Sequence, residues 1–560
     1  KVGDATLYLV EFNFDIGSIQ DVLLMENNPQ LDFEFVGKLN DKDNYYFDRS
    51  RKPADDKSSV IVYAATLKRT PLEFSATPNR VTNTYYPDEN PGMTYAIKSL
   101  DEQPFSVKIT VSDIDGKKLF EKVDKFTDQT IVTAQQVDFP QKDFGWYSVK
   151  FEAITNSGEV AITHDSSFIL LPPDTRKASY ESPYFVWNFN GSHYTPRGVD
   201  TWGDILKRLG VRRTHVDSEA TGAKYGLTLG QFFSIHSVKT EEEAAAKIKD
   251  FVTKYPHVKQ ALIFHESGGG PYPMELVGET TVIDEKQAKW DKDRAKQALF
   301  AAQMWRKYAP DVKLVIGNSG YSVGLLAQLF REKYPREFID AMGEESVGMT
   351  MPPERSLAYS NWQLKQLAEI YDYKDLGPEA CYEWKSRVIR HFSPSQHAAF
   401  IVRDALIAHA WGQKLIGVPC VTEMANSYYN SIWGVGSYSR YPIMYPHPVA
   451  AAVATLTDVL DCAKFNRQLT TGSNTVYALE FTKGKEKVYA LWTARGEIDA
   501  EIYASNNQLT QHDLFGKITP IKLKGNQGQI TISEEPVYLV TSGDITSIKA
   551  DGTRRYPNEV

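Results

Sequence analysis

Through residue 175 the chain reads as short β-rich runs, among them "SSVIVYAATL", "FSVKITVSD", "GWYSVKFEAI" and "HDSSFILLPP", broken by clusters of Gly, Asp, Asn and Pro. Branched and aromatic residues in short stretches between turn formers predict antiparallel β-domains. Two such units fit. The stretch "LKRTPLEFSATPNR", with its prolines at 71 and 78, reads as the join between them. Residues 1–72 then predict an N-terminal β-domain that starts abruptly at Lys1, as if upstream strands were missing, and residues 73–175 predict an Ig-like β-sandwich.

At "LLPPDTRKASYESPYF" the pattern changes, and from Tyr184 apolar runs alternate with helical periods, the mark of an α/β fold. Strands are predicted at 185–189, 212–217, 227–235, 260–264, 313–317, 339–343, 380–384 and 415–422. Helices between them have recognisable starts: Thr240 with Glu243, and Ser393 with Pro394 and Gln396, both read as capping boxes. Ile248, Phe251 and Val252 form the apolar face of the first, while Phe400, Ala405, Leu406 and Ala408 predict that the second is largely buried. Eight strand-and-helix units within 176–463 predict a (β/α)8 barrel, a fold of about 250 residues. The interval between the second and third strands is too short for a full helix, so that crossover should be abbreviated. Residues 449–460 read as one more buried helix, and no apolar run is long enough to span a membrane. From residue 464 to 560 the β-pattern returns, with a hairpin turn at "KGK" and a later strand in "EPVYLVTS", predicting a C-terminal β-sandwich.

Composition narrows the partners. Lys and Arg number 63 against 71 Asp and Glu, a net charge of −8, which disfavours a phosphate-backbone binder needing a basic surface. Nucleic acid is therefore not expected. Cys381, Cys420 and Cys462 show no C-x-x-C spacing and are expected to be buried thiols rather than a zinc knuckle or disulfide framework. The chain begins at Lys1 with no apolar targeting segment, so any such segment is expected to have been removed.

In a barrel of this kind reacting groups come from the C-terminal ends of strands. The fourth strand runs into "ALIFHESGGG", placing Glu266 after an apolar approach and before three glycines; the seventh runs into "EACYEWKSR", placing Glu383 between Tyr382 and Trp384. Two carboxylates at strand ends across a barrel mouth are what glycosidic cleavage requires, one protonated to assist the leaving oxygen and one ionised to attack the anomeric carbon. Rivals for the attacking group are Glu344 and Glu345 after strand six and Glu423 after strand eight.

The run "YEW…SPSQHAAFIVRDALIAHAWGQKLIGV" resembles the clan A (β/α)8 retaining glycoside hydrolases, in the form found in family 39-like members, over about residues 180–465. The flanking β-rich segments are similar to the accessory sandwiches such enzymes carry, and residues 1–72 would then be carbohydrate-binding-like. The resemblance implies Glu266 as acid/base and Glu383 as nucleophile, with no metal and no organic cofactor. Two departures stand out: His265 occupies the place where the clan has Asn contacting the sugar 2-hydroxyl, and "MGEESVG" after strand six lacks the Tyr that often bonds the nucleophile. One of Arg212 and Arg213 matches the Arg that many members hold beside the nucleophile.

Around the expected mouth lie Trp187, Asn188, Asn190 and His193 after strand one, His215 and Asp217 after strand two, His236 after strand three, Asn318 and Tyr321 after strand five, and Tyr428, Tyr429, Trp433 and Tyr438 after strand eight. Aromatic faces and fixed hydroxyl partners together suit a carbohydrate cleft, with Trp187, Asn188, Arg212, His215, His236, His265, Asn318, Tyr382, Trp384, Glu423 and Trp433 as its candidate binding residues. Arg197, Arg212, Arg213 and Arg440 could serve an acidic substituent. His215, Asp217, His236, His265 and Glu266 could instead gather a catalytic metal, although the dense spacing of the known metal motifs is missing. His397 and His409, on the helix after strand seven, read as surface or packing residues. "ESGGGP" lacks the Lys-Ser/Thr of a phosphate loop. The sequence thus predicts a secreted, periplasmic or cell-surface retaining glycosidase acting on a poly- or oligosaccharide; a metal-dependent hydrolase and a non-catalytic glycan-binding or surface-assembly protein are the alternatives. Its oligomeric state is not legible.

Overall fold

A computed structural model describes residues 71–80, 82–176, 182–186, 199–214, 224–226, 228–229, 238–256, 259–263, 271–317, 322–344, 352–355, 357–381, 393–418, 446–506 and 508–557. The predicted 1–72 β-domain lies outside them but for its last two residues. Two compact units result, one built from the chain up to Asn83, Asp88–Gln141 and Tyr147–Phe168, the other from Thr84–Pro87, Lys142–Trp146 and Ile169–Val560.

Among the described residues eight strands precede the barrel: β1 (Leu72–Pro78), β2 (Thr84–Tyr85), β3 (Gly92–Ser99), β4 (Phe105–Ser112), β5 (Lys118–Phe126), β6 (Ile131–Asp138), β7 (Gly145–Thr155) and β8 (Val160–Leu170). They form two sheets, ordered β1-β3-β6 and β2-β8-β7-β4-β5. In β4 every second residue, from Phe105 to Val111, is buried, the alternation of a strand with one face on a core. Phe74 and Tyr95 stack at 5.8 Å, and Phe151 from the other sheet meets Phe74 at 5.5 Å. Within the stretch read as the join, residues 72–78 form β1, paired antiparallel with β3 from Leu72↔Ser99 to Pro78↔Met93. Leu72, Phe74 and Ala76 alternate inward, and among the described residues β1 lies at the edge of its sheet, where the missing donor of Pro78 costs little.

The α/β region supplies β9 (Tyr184–Val186), α1 (Val199–Arg208), β10 (Arg213–Thr214), β11 (Thr228–Leu229), α2 (Glu241–Lys254), β12 (Gln260–Leu262), α3 (Glu285–Tyr308), β13 (Lys313–Gly317), α4 (Ser322–Arg331), β14 (Ala341–Glu344), α5 (Leu357–Ile370), β15 (Pro378–Cys381), α6 (Pro394–Ala410), β16 (Leu415–Val418) and α7 (Pro448–Val459). The strands form one eight-stranded sheet in the order β11-β10-β9-β16-β15-β14-β13-β12. Every recorded pairing is parallel. That order is the circular succession of a (β/α)8 barrel, with the first strand beside the eighth. Phe185, Leu262, Val315, Ala341 and Leu415, from five strands, share one apolar cluster.

Both predicted caps form, unequally. Ser393 and Gln396 make the complete reciprocal box at 3.1 Å each way. Thr240 accepts from the Glu243 amide at 3.3 Å, but the Glu243 carboxylate turns to the Lys239 amide, so only half the box is made. The longest helix, α3, starts at Asp284, whose carboxylate takes the Gln287 amide at 2.7 Å. On α2 Ile248 and Phe251 of the expected face are buried and Val252 is half-buried, while most of α6 and nearly all of α7 is buried.

Beyond the barrel come β17 (Lys464–Gln468), β18 (Val476–Lys483), β19 (Glu486–Thr493), β20 (Ile498–Ala504), β21 (Thr510–His512), β22 (Ile518–Pro520), β23 (Gln527–Ile532), β24 (Val537–Thr541) and β25 (Ile545–Lys549). A six-stranded sheet, β17-β18-β19-β24-β21-β22, faces a three-stranded one, β23-β20-β25, across a cluster that includes Tyr489, Leu491, Ile502, Ile532 and Leu539. The "KGK" hairpin is present: Lys483 pairs with Glu486, and Gly484 takes φ +61° at the first loop position, where a side chain would be disfavoured. Cys462, expected as a buried thiol, is half-buried and forms no disulfide.

His397 and His409 are buried packing residues of α6. His409 lies between barrel and sandwich: its Nδ1 is 3.3 Å from the Tyr184 hydroxyl, and its ring meets Phe481 at 5.1 Å. Burial pushes its pKa down to about 4, against a weaker opposing pull from a hydrogen bond with the Ala463 backbone. Because the folded value lies below the unfolded one, this site leaves stability intact above about pH 6.5 and withdraws it as the pH falls toward 4, where only the unfolded chain has taken the proton. The expected loss at pH 4.5 is about 2 to 3 kcal/mol. Urea melts at pH 7.5 and 4.5 should show that slope in the wild type, and a shallower one in His409→Gln.

Candidate active site

Parallel pairing brings the C-terminal ends of all the barrel strands to one face, and the sequence candidates attach to those ends with one exception. Trp187 and Asn188 follow β9 directly, His215 follows β10, and His236 lies between β11 and α2. Glu266 and His265 come shortly after β12, whose pairing extends through the Ile263 amide to the Val315 carbonyl at 3.0 Å. Asn318 follows β13; Tyr382, Glu383 and Trp384 follow β15; Glu423 and Trp433 belong to the connection between β16 and α7. These side chains themselves lie outside the described residues, as do Asp217 and the rest of the proposed histidine cluster. Among the described residues no group of three or more His, Cys, Asp or Glu is placed to hold a metal.

Arg212 is the exception and a correction. It precedes β10, at the opposite end of the strand from the mouth, and donates at 2.9 Å to Asp174 in the segment leading into the barrel. Arg213 donates to the carbonyl of Lys414, immediately ahead of β16. Both guanidiniums serve the N-terminal side of the strands. Asp174 also holds Arg176 at 2.9 Å, and Arg176 in turn donates to the Ala454 carbonyl of α7 at 2.9 Å. Burial raises the Asp174 pKa, but the charges of Arg176 and Arg212 outweigh it and hold the carboxyl below its ordinary value. The role expected of Arg212 at the sugar is replaced by one of anchoring the chain where it enters the barrel.

On the mouth side, β13, β14 and β15 end irregularly. Gly317 adopts φ +108°, and a Cβ placed there would run into the Gly343 carbonyl of the neighbouring strand. At that same Gly343 the pairing of β14 with β15 shifts register, between Met342 and Gly343. Such irregularities re-aim the residues that leave a sheet. The apolar run up to Gly317 signalled the strand but not its left-handed last residue. Gly317→Ala should cost about 1 to 3 kcal/mol in chemical denaturation, from both the φ and the contact.

A second feature was not legible in the sequence. Glu275, in the connection between β12 and α3, accepts from Tyr371 at 2.8 Å, from Arg331 at 3.2 Å, and from the Thr281 hydroxyl. Arg331 also faces Asp291 of α3 at 3.7 Å, and Asp291 accepts from Gln287 at 2.6 Å. The connection that carries Glu266 is thereby tied to α3, α4 and the turn after α5. Burial raises the Glu275 pKa, but the hydrogen bonds from Thr281, its own backbone and Tyr371, with the Arg331 charge, bring the net value below normal. Burial, then the bond to Glu275, pushes the Tyr371 hydroxyl up to about 12. No spacing rule reports such a set, because its members are brought together only by helix packing. An open groove nearby is lined by Phe330, Tyr334, Arg336, Ile370 and Tyr373 and belongs to the outer helical shell, not to the strand ends. Glu275→Gln should lower stability by about 1 to 3 kcal/mol, since it weakens hydrogen bonds to a partly buried charge; thermal melts at pH 7 would measure it.

No protein-family profile matches the sequence, and no curated protein sequence matches it. Among solved structures, a family 39 glycoside hydrolase from the gut symbiont Bacteroides cellulosilyticus WH2 is similar over 83% of this chain and 100% of its own, with a TM-score of 0.60 and 14% identity. A GH30 endoxylanase from Clostridium papyrosolvens C71 aligns over 66% of this chain and 97% of its own, with a TM-score of 0.40 and 8% identity. A Bacteroides uniformis beta-glucuronidase aligns over 86% and 60%, with a TM-score of 0.34 and 9% identity. The first likeness shows that this chain shares the fold of a family 39 glycoside hydrolase, the kind of protein its sequence resembles.

Proposed function

We propose that the protein is a retaining glycoside hydrolase acting on a poly- or oligosaccharide. The observation that carries this reading is the barrel order of eight parallel strands, with Glu266 and Glu383 in the connections that leave the fourth and seventh of them. The fold shared with a family 39 glycoside hydrolase supports it.

In the proposed reaction the Glu383 carboxylate attacks the anomeric carbon as the glycosidic C–O bond breaks, and the Glu266 carboxyl gives its proton to the departing oxygen. Glu266, now ionised, takes a proton from water; the water oxygen bonds to the anomeric carbon and Glu383 leaves. His265 would donate to the sugar 2-hydroxyl. Trp187, Trp384 and Trp433 would offer faces to sugar rings, with Asn188, His215, His236, Asn318, Tyr382 and Glu423 as polar partners. This chemistry calls for carboxyls about 5 to 5.5 Å apart, and for no metal or organic cofactor. Residues 1–72, 73–175 and 464–560 are read as accessory β-domains around a catalytic barrel at 176–463, in a protein that works outside the cytoplasm on glycan.

The test compares the wild type with Glu266→Gln and Glu383→Gln on a panel of polysaccharides and aryl glycosides. Each substitution should lower kcat by about 10³-fold or more. Azide should restore turnover as a glycosyl azide, of inverted anomeric configuration for Glu383→Gln and retained for Glu266→Gln. Full activity in both variants would overturn the assignment. Glycan binding by a wild type that cleaves nothing would favour a non-catalytic glycan-binding protein.

A further inference from the structure

The sixth strand's connection ends in a turn, 352–355, just before α5. Within it Glu354 is 9% exposed and faces Arg403 of α6, whose side chain has no exposure at all. Arg403 Nε donates to Glu354 Oε1 at 2.8 Å, and its terminal nitrogen donates to Oε2, a two-pronged fork. The same Oε1 accepts from the indole N–H of Trp492, on β19 of the sandwich, at 2.6 Å. Trp492 lies parallel to Tyr477 at 4.8 Å, and Arg403 also reaches the Ala494 and Glu534 carbonyls at 3.5 Å. One buried carboxylate is therefore shared by the connection after strand six, the helix after strand seven and a strand of the sandwich. A buried charge pair adds little net stability, but the fork and the indole together admit one arrangement of the three pieces.

We propose that Glu354 is a positioning residue, through which the C-terminal sandwich sets the connection after strand six and, by way of Arg403, the helix that follows the Glu383 connection. The sandwich is then a working part of the catalytic unit. The catalytic half of this proposal rests on the hydrolase reading above, whereas the holding of 352–355 does not.

Trp492→Phe keeps a six-membered ring on Tyr477 and removes the indole N–H along with some buried volume, the loss for which the sandwich control below corrects; Glu354→Gln keeps an acceptor for the indole and removes the charge facing Arg403. Leu491→Val, a buried neighbour on the same strand, weakens the sandwich without touching Glu354. Exchange of the Glu354 and Arg355 amides, the two in 352–355 that carry an N–H, should quicken in Trp492→Phe and not in Leu491→Val. On the glycan that the wild type cleaves, kcat should fall about 3- to 10-fold in Trp492→Phe, with KM within about twofold, and stay at the wild-type value in Leu491→Val. Should Glu354→Gln fail to fold, Trp492→Phe decides alone. Unchanged exchange over 352–355 in Trp492→Phe, or the same fall in kcat for Leu491→Val, overturns the proposal. A wild type that cleaves no glycan removes the hydrolase reading and with it the catalytic role of Glu354, while the exchange result still decides whether the sandwich holds 352–355.

Discussion

Pairing between β9 and β16 joins Tyr184–Val186 to Leu415–Val418, the first barrel strand to the eighth, across more than two hundred residues of chain. The pairing is parallel, so every intervening strand must be returned by a crossover and every strand must end on the same face. Helices are thereby forced to the outside, and the connections that follow the strands are gathered at one mouth. The closure relies on side chains that are fully buried on both sides, such as Phe185, Leu262, Val315, Ala341 and Leu415. Long-range contacts of this kind earn no stabilisation until most of the chain is ordered, which predisposes the fold to slow assembly.

Polar groups then decide how the barrel joins its surroundings. Asp174 binds Arg176 and Arg212 where the chain enters the barrel, and Lys483 donates to the Asp458 carbonyl at the C-terminal end of α7 at 2.5 Å, a cation at the negative end of a helix. Between barrel and sandwich lie His409 with Tyr184 and Phe481, and the buried Arg403–Glu354–Trp492 cluster. Groups of this kind contribute less by net energy than by exclusion of alternatives, because each would be left uncompensated in any other packing. The interface is consequently specific, and its histidine makes it sensitive to acid.

The candidate site combines regular support with local irregularity. Strand pairing fixes the positions from which Glu266 and Glu383 depart, while the glycine at 317 and the register shift beside Gly343 loosen the sheet where residues must be re-aimed. Glu275 anchors the connection carrying Glu266 to three elements of the helical shell, and Glu354 anchors the next but one connection to the sandwich. Such supports tie the described parts of these connections to the helical shell and the sandwich without belonging to the proposed chemistry.

What the sequence determined by itself was local in origin. Apolar runs between turn formers marked the barrel strands, Ser393 with Gln396 marked the start of α6, and the carboxylates after the fourth and seventh runs marked the candidate chemistry, because each signal is written within a few neighbouring residues. The same locality misled at Arg212, where proximity to a strand was taken for proximity to its mouth. Tertiary structure alone decided which end of β10 that arginine serves, that Glu275, Arg331 and Tyr371 converge, and that one carboxylate links 352–355 to Arg403 and Trp492. These partners lie tens to more than a hundred residues apart and share no periodicity. Their association follows from the burial of helices and sheets against one another, and burial is settled by the whole fold at once rather than by any segment of it.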